Sequence, residues 1–160
     1  MPTVLATAQR QKSSKSAAPN RPGKSNIEVV AKAHLEKGKS KEAEFEKRAL
    51  GGLKWTEAES LAKTLRLSMV ELAGYAGIPS STFFTRKHSR FDSAESDRLL
   101  RLERLFVLAL KAFGSIEGAG DWLSAPQVGL AGEVPLQKSK TEPGARQVEI
   151  LLQRIDLGLA

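Results

Sequence analysis

From Ile27 onward, apolar residues recur three and four positions apart, and long alternating or β-branched runs are missing. That period belongs to a helix with one buried face; a strand alternates every second residue. The chain is therefore read as all-α. At 160 residues it has the length of about one domain and buries roughly two thirds of its unfolded surface. The absence of cysteine excludes a disulfide framework, a thiolate zinc site, an iron–sulfur cluster and a cysteine nucleophile. His34 and His88 are the two histidines, too few for a multi-histidine metal centre.

Charge is uneven along the chain. The net charge is +7, and residues 1–25 supply +5 of it through Arg10, Lys12, Lys15, Arg21 and Lys24 with no acid. This segment is rich in Ser, Pro and Gly, cannot offset its ordering entropy by burial, and is expected to be a flexible basic arm. Met1 to Ala8 lacks the apolar stretch of a secretory signal; an organellar transit peptide shares the absence of acids, but no amphipathic Arg face emerges. The longest wholly apolar run, Leu105 to Leu110, is far too short to span a bilayer. The expected location is cytoplasmic, away from membranes.

The spacing predicts helices at Ile27–Glu36, with His34 on the apolar side as a core or boundary residue, and at Lys41–Arg48, anchored by Phe45 and Leu50. Gly51 and Gly52 punctuate. Thr56 with Glu59 has the form of a capping box opening a helix over Glu57–Leu65, and Ser68 with Glu71 opens another to about Tyr75. Gly77 supplies the turn, and Ser80 is read as the cap of a helix through about Lys87. Asp92 with Glu95 starts the longest element, Ala94–Phe113, where Leu99, Leu102, Leu105, Phe106, Ala109 and Phe113 form the core stripe. A short helix carries Trp122 and Leu123, Pro126 to Pro135 reads as an ordered connection, and Thr141 caps a last helix, Glu142–Leu157.

Two short helices joined by a glycine turn make a helix-turn-helix, which needs small residues at the helix crossing and apolar residues inside. Leu72, Ala73, Ala76, Gly77, Ile78 and Phe83 fall in those places. Arg86 stands where the motif has a buried aliphatic, so its side chain either bends outward or packs differently. An ordinary αα-hairpin inside a bundle fits the same pattern. If the second helix enters a major groove, Ser80, Ser81 and Thr85 face base edges or phosphates, and Arg86, Lys87, His88 and Arg90 supply backbone charge. Arg86 and Arg90 also suit bidentate contacts to guanine, and a solvated basic loop is the plainer reading of this cluster. One short recognition helix binds weakly, so such modules act as dimers; the helices at 94–113 and 41–49 are the candidate self-association surfaces.

Catalysis finds no support. No nucleophile elbow, phosphate-binding loop or histidine–carboxylate metal motif is present. Glu57 and Glu59, and Glu142 and Glu149, read as caps and solvated faces.

The stretch Leu65–Lys87, then Glu95-Ser96-Asp97-Arg98-Leu99, then Trp122-Leu123 with Pro126, Leu130, Gly132, Pro135, Leu136, Thr141, Gly144, Val148, Leu152, Ile155 and Gly158, resembles the Xre/ParS/MbcA antitoxin family over roughly residues 50–160. The resemblance implies a helix-turn-helix (Xre/Cro-like) domain and a small C-terminal helical toxin-binding domain. The corresponding organisation is a basic arm at 1–25, a DNA-binding and dimerisation region at 26–113 with its helix-turn-helix at about 68–87, and a toxin-binding domain at 114–160. It further implies a type II antitoxin that masks a RES-domain, NAD-consuming toxin, uses no cofactor itself, forms a homodimer within a larger complex, and represses its own operon by binding promoter DNA. By position, the toxin-binding residues are Pro126, Leu130, Gly132, Arg154, Asp156, Leu157, Gly158, Leu159 and Ala160, whereas Trp122, Leu123 and Leu152 are core. Gln127 replaces the asparagine usual after the first proline, which leaves the path of that loop open. A stand-alone helix-turn-helix regulator with a helical oligomerisation region is the alternative.

Overall fold

The computed structural model describes residues 41–159. The basic arm at 1–25, the helix expected at Ile27–Glu36 with His34, and Ala160 lie outside the described residues. Eight α-helices follow one another among the described residues: α1 (Lys41–Gly51), α2 (Trp55–Leu65), α3 (Met69–Tyr75), α4 (Ser80–Thr85), α5 (Ser93–Phe113), α6 (Ile116–Ser124), α7 (Pro135–Lys138) and α8 (Glu142–Asp156). Short 3-10 turns stand at Arg86–His88 and Val128–Leu130.

The spine is α5. Its 21 residues span about 31 Å at 1.5 Å per residue, and α1, α6 and α8 all pack on it. Leu99, Leu102, Leu105, Phe106 and Ala109 are buried as the periodicity predicts, and Leu100 and Glu103 are buried as well. The buried surface is wider than one stripe because elements lean on α5 from more than one side. For the same reason the apolar face of 94–113 is occupied within the chain and is not an open self-association surface.

Two of the expected capping boxes hold as drawn. The Ser68 hydroxyl accepts the Glu71 amide while the Glu71 carboxylate accepts the Ser68 amide at 2.8 Å, and Asp92 and Glu95 repeat the exchange at 2.8 and 2.9 Å. Thr141 also caps as expected, accepting the Gly144 amide. Two others shift. α2 opens at Trp55, because Glu57 is the acid one turn in and accepts the Lys54 amide at 2.9 Å, leaving Thr56 inside the helix. Ser80 is the first residue of α4 instead of its cap, with Pro79 before it in an extended conformation and the Pro79 carbonyl accepting the Phe83 amide. α4 then ends at Thr85, and a tighter turn carries Arg86–His88.

Polar groups fasten the elements where the core does not. The Arg48 guanidinium forks onto both Glu103 carboxylate oxygens at 2.8 and 3.0 Å and reaches Glu57 at 3.3 Å. Burial pulls the Arg48 pKa down, but the Glu103 hydrogen bonds and charge, followed by those of Glu57, outweigh it and hold the pKa above its ordinary value. α8 runs alongside α5 in the same direction. Arg101 lies 2.9 Å from Glu142 in an ion pair whose Nε–H is not aligned for a hydrogen bond. Arg104 donates to Glu149 at 2.7 Å, and Lys111 pairs with Asp156.

Gly144 lies in the first turn of α8, where alanine ordinarily stabilises a helix by about 1 kcal/mol. Here a Cβ would sit 1.9 Å from the Lys138 carbonyl oxygen, and overpacking of this kind costs about 1–3 kcal/mol. Gly144→Ala is therefore expected to lower the thermal midpoint, opposite to its helix propensity; a melt followed by circular dichroism decides the sign.

Hydrogen bonds from the Ser68 amide, then from the Ser68 hydroxyl, hold the Glu71 carboxyl below its ordinary value of 4.5. A depressed carboxyl stabilises the fold fully above the unfolded value, and that contribution disappears as pH falls through the folded one. The gap in urea midpoint between wild type and Glu71→Gln is expected to be constant near neutrality and to close below pH 4.5; urea titrations at both pH values measure it.

Candidate functional site

The chain presents two candidate surfaces at opposite ends of α5. The first is built by α3, the Gly77 turn and α4. Leu72, Ala73, Ala76, Ile78 and Phe83 are buried, Gly77 takes a φ of +64°, and the Ile78 amide returns to the Ala73 carbonyl at 2.9 Å. Arg98 on α5 donates to the Gly77 carbonyl at 3.1 Å, so the turn is pinned to the spine. The arrangement is the helix-turn-helix that the spacing predicts.

The residues expected at DNA divide into two groups. Ser80, Ser81, Thr85, Lys87, His88 and Arg90 are exposed. Arg90 also donates to the Gly52 carbonyl at 2.6 Å, which ties the loop after the turn to the segment before α2. Arg86 differs from the rest. Its Nε and Nη2 donate to the two Glu95 carboxylate oxygens at 2.8 and 2.9 Å, and Asp92 lies 3.5 Å away. The hydrogen bond to Glu95 raises the Arg86 pKa, against a smaller effect of desolvation. Of the two packings open to Arg86, the inward one is observed: where the motif has an aliphatic, a bidentate ion pair fills the space. A guanidinium committed in this way has its fork occupied and is not free to read guanine.

Sequence reasoning passed over Phe84. It is 42% exposed and sits among the hydroxyls of α4. Its ring leans on Trp55 at 5.7 Å and Phe83 at 5.8 Å, within an aromatic group completed by Phe91. Two adjacent phenylalanines hide the distinction in sequence; the burial of Phe83 assigns the other outward.

The second surface is built by the connection after α6 and the end of α8. Gln127, the departure from the expected asparagine, stitches this connection. Its side-chain amide donates to the Trp122 and Ala125 carbonyls at 2.8 and 3.1 Å, and its carbonyl accepts the Leu130 and Gly132 amides. The loop seats on α8, where a Cβ on Gly129 would meet the Leu151 side chain at 2.9 Å. Leu130 is 5% exposed and therefore a core residue, not an available contact: it is the inward member of the 3-10 turn. Val128, at the outward position of that turn, is 96% exposed and was missed. Pro126, Gly132, Arg154, Leu157, Gly158 and Leu159 are exposed. Asp156 is paired with Lys111, and Ala160 lies outside the described residues. Ile150, Arg154 and Leu157 share one line along α8 at spacings of four and three, with Ile150 and Leu157 leaving apolar surface uncovered. Leu123 and Leu152 are buried as expected of core residues, whereas Trp122 is only partly buried and packs on Phe113 at 5.6 Å.

Among the described residues, no group of three or more His, Cys, Asp or Glu is placed to hold a metal ion, and no helix is long and apolar enough to cross a membrane.

A helix-turn-helix joined by a shared helix to a second helical unit with an uncovered apolar edge defines the class: a two-part, all-helical binding protein. Comparison with known proteins makes the assignment specific. Residues 44–104 match the antitoxin Xre-like helix-turn-helix domain, and residues 108–158 match the antitoxin Xre/MbcA/ParS C-terminal toxin-binding domain. The chain belongs to the Xre/MbcA/ParS antitoxin family, a family of antitoxins and not of enzymes. It is similar to an antitoxin Xre of Yersinia enterocolitica, 35% identical over 92 residues that make up 56% of this chain and 62% of the relative. It is also similar to an antitoxin Xre of Pseudomonas putida, 39% identical over 64 residues, 40% of each chain. The chain thus spans between two fifths and three fifths of the length of these curated relatives.

Arg86→Ala is expected to lower the thermal midpoint, because it removes the cation paired with the buried Glu95 carboxylate, whereas exposed Lys87→Ala should leave it nearly unchanged. Paired melts of the two variants separate a structural arginine from a surface lysine.

Proposed function

We propose that this chain neutralises a RES-domain, NAD-consuming toxin by lodging the end of α8 and the neighbouring Val128 turn against the toxin's catalytic cleft. We further propose that it represses its own operon through the helix-turn-helix. The observation that carries the first part is the apolar edge of the C-terminal unit: Val128, Ile150, Leu157 and Leu159 are all large, apolar and exposed. Four such side chains on one small unit exceed the scattered single hydrophobes of an ordinary surface and support a partner there. Val128, Leu157 and Leu159, with Pro126, Gly132, Arg154 and Gly158 around them, form the contact set. Leu130 supports it from within the core, and Asp156 is held at the surface by its pair with Lys111.

DNA recognition is assigned to Ser80, Ser81, Thr85, Lys87, His88 and Arg90, with Arg86 holding the turn that carries Lys87 and His88. Phosphate contacts by Lys and Arg supply affinity that weakens with salt. A second copy joins through α1, whose Leu50 is 73% exposed beside a groove lined by Phe45, Ala49 and Leu100. The surface is shared by α1 and the first turns of α5, which also line that groove, and the pairing sets two recognition helices on one duplex.

The reading requires a RES-domain reading frame beside this chain's own, and the test uses the protein that frame encodes. Its NAD consumption is expected to stop at saturating full-length antitoxin and to persist with a chain lacking residues 157–160 or carrying Val128→Asp. Both variants should retain upstream DNA within about twofold, the scatter expected of a change remote from the contact. Lys87→Ala should do the reverse, lowering the slope of log affinity against log salt by about 1 while leaving neutralisation intact. A RES enzyme that stays fully active at saturating wild-type chain overturns the neutralisation reading.

A further inference from the structure

The outward face of α4 contains one residue that phosphate binding does not explain. Taking 100° per residue, Ser80, Ser81, Phe84 and Thr85 fall within a single arc, opposite buried Phe83. Phe84 occupies the middle of that arc, between hydroxyls. Trp55 and Phe83 brace one side of its ring, fixing its direction at little further entropic cost on binding. The other side is open. A solvated face of a six-residue helix has no use for an exposed phenylalanine, and the adjacent Lys87, His88 and Arg90 favour a polyanion over an apolar protein partner.

We propose that Phe84 is a specificity residue that reads thymine, by packing against the thymine C5 methyl in the major groove. This rests on the reading of α4 as the recognition helix. The major groove admits a helix and displays one apolar group, that methyl, whose partners include phenylalanine. Ser80 and Ser81 flank Phe84 with short hydroxyls that suit any base edge or phosphate and discriminate little, and the Thr85 hydroxyl already donates to the Thr82 carbonyl at 2.6 Å. With Arg86 committed to Glu95, Phe84 becomes the side chain of this arc with the sharpest preference. The site selects thymine through loss of the methyl from water, not through a hydrogen bond.

The experiment compares two duplexes of identical sequence, taken from the segment directly upstream of this chain's reading frame, one made with thymine and one with 2′-deoxyuridine. Wild-type chain is expected to bind the uracil duplex about fourfold more weakly per methyl contacted, the value of one buried methyl-sized group. Phe84→Ala should bind both duplexes equally, at the wild-type level for uracil. Phe84→Leu, which keeps apolar volume and guards against misfolding of the alanine variant, should retain part of the discrimination. Equal binding of both duplexes by wild type, or discrimination that survives in a folded Phe84→Ala, overturns the proposal and leaves DNA binding standing. Failure of wild type to retain either duplex at low salt overturns both.

Discussion

Everything in this molecule hangs on the burial of α5 from several sides. A helix with one apolar stripe can close one interface; α5 packs against four helices, α1, α6 and α8 extensively and α2 at fewer points. It does so by adding buried Leu100 and Glu103 to the regular stripe. Glu103 is the costly member, since a carboxylate at 2% exposure is tolerable only with its charge matched and both oxygens bonded. The Arg48 fork provides both. Breaking such a pair costs on the order of 3–5 kcal/mol, because the remaining charge stays buried, so the placement of α1 depends on this one contact more than on its few apolar anchors.

A single carboxylate does comparable service at the other face. Glu95 accepts the Asp92 amide, closing the cap of α5, and accepts both arms of Arg86, holding the end of the recognition helix. The start of the spine and the turn that ends α4 are therefore fixed by the same two oxygens. Arg98, one turn further along, grips the Gly77 carbonyl. The helix-turn-helix is oriented by polar contacts to α5 as much as by its own small core.

Periodicity and caps made the helices legible in sequence, because amphipathic spacing and the Ser68, Asp92 and Thr141 hydroxyl or carboxylate caps are local signals. The starts of α2 and α4 were misplaced where the local signal was ambiguous: Glu57 and Glu59 both stand within reach of a cap, and Ser80 follows a proline that itself opens the helix. The site was less legible. Which of Phe83 and Phe84 faces out, and which of Val128 and Leu130, is decided by how a short turn rolls onto its neighbour, a tertiary matter that two adjacent or near-adjacent apolar letters do not encode. Arg86 was anomalous in sequence for a good reason, but its resolution lay in Glu95, nine positions away and itself already accounted for as a cap.

The two surfaces lie at opposite ends of α5. Glu95 anchors the recognition end at the first turn of α5, and Lys111 pairs with Asp156 at its last. The intervening helix places these anchors about 24 Å apart. Because α8 runs in the same direction as α5, held by Glu142 near its start, Glu149 midway and Asp156 at its end, its exposed terminal leucines are carried away from α4. The boundary between the two family domains, after residue 104 and before 108, falls inside α5 and not in a linker. A continuous helix transmits orientation where a flexible linker would lose it. The exposed end of α8 and the outward face of α4 therefore keep a fixed attitude to one another through α5.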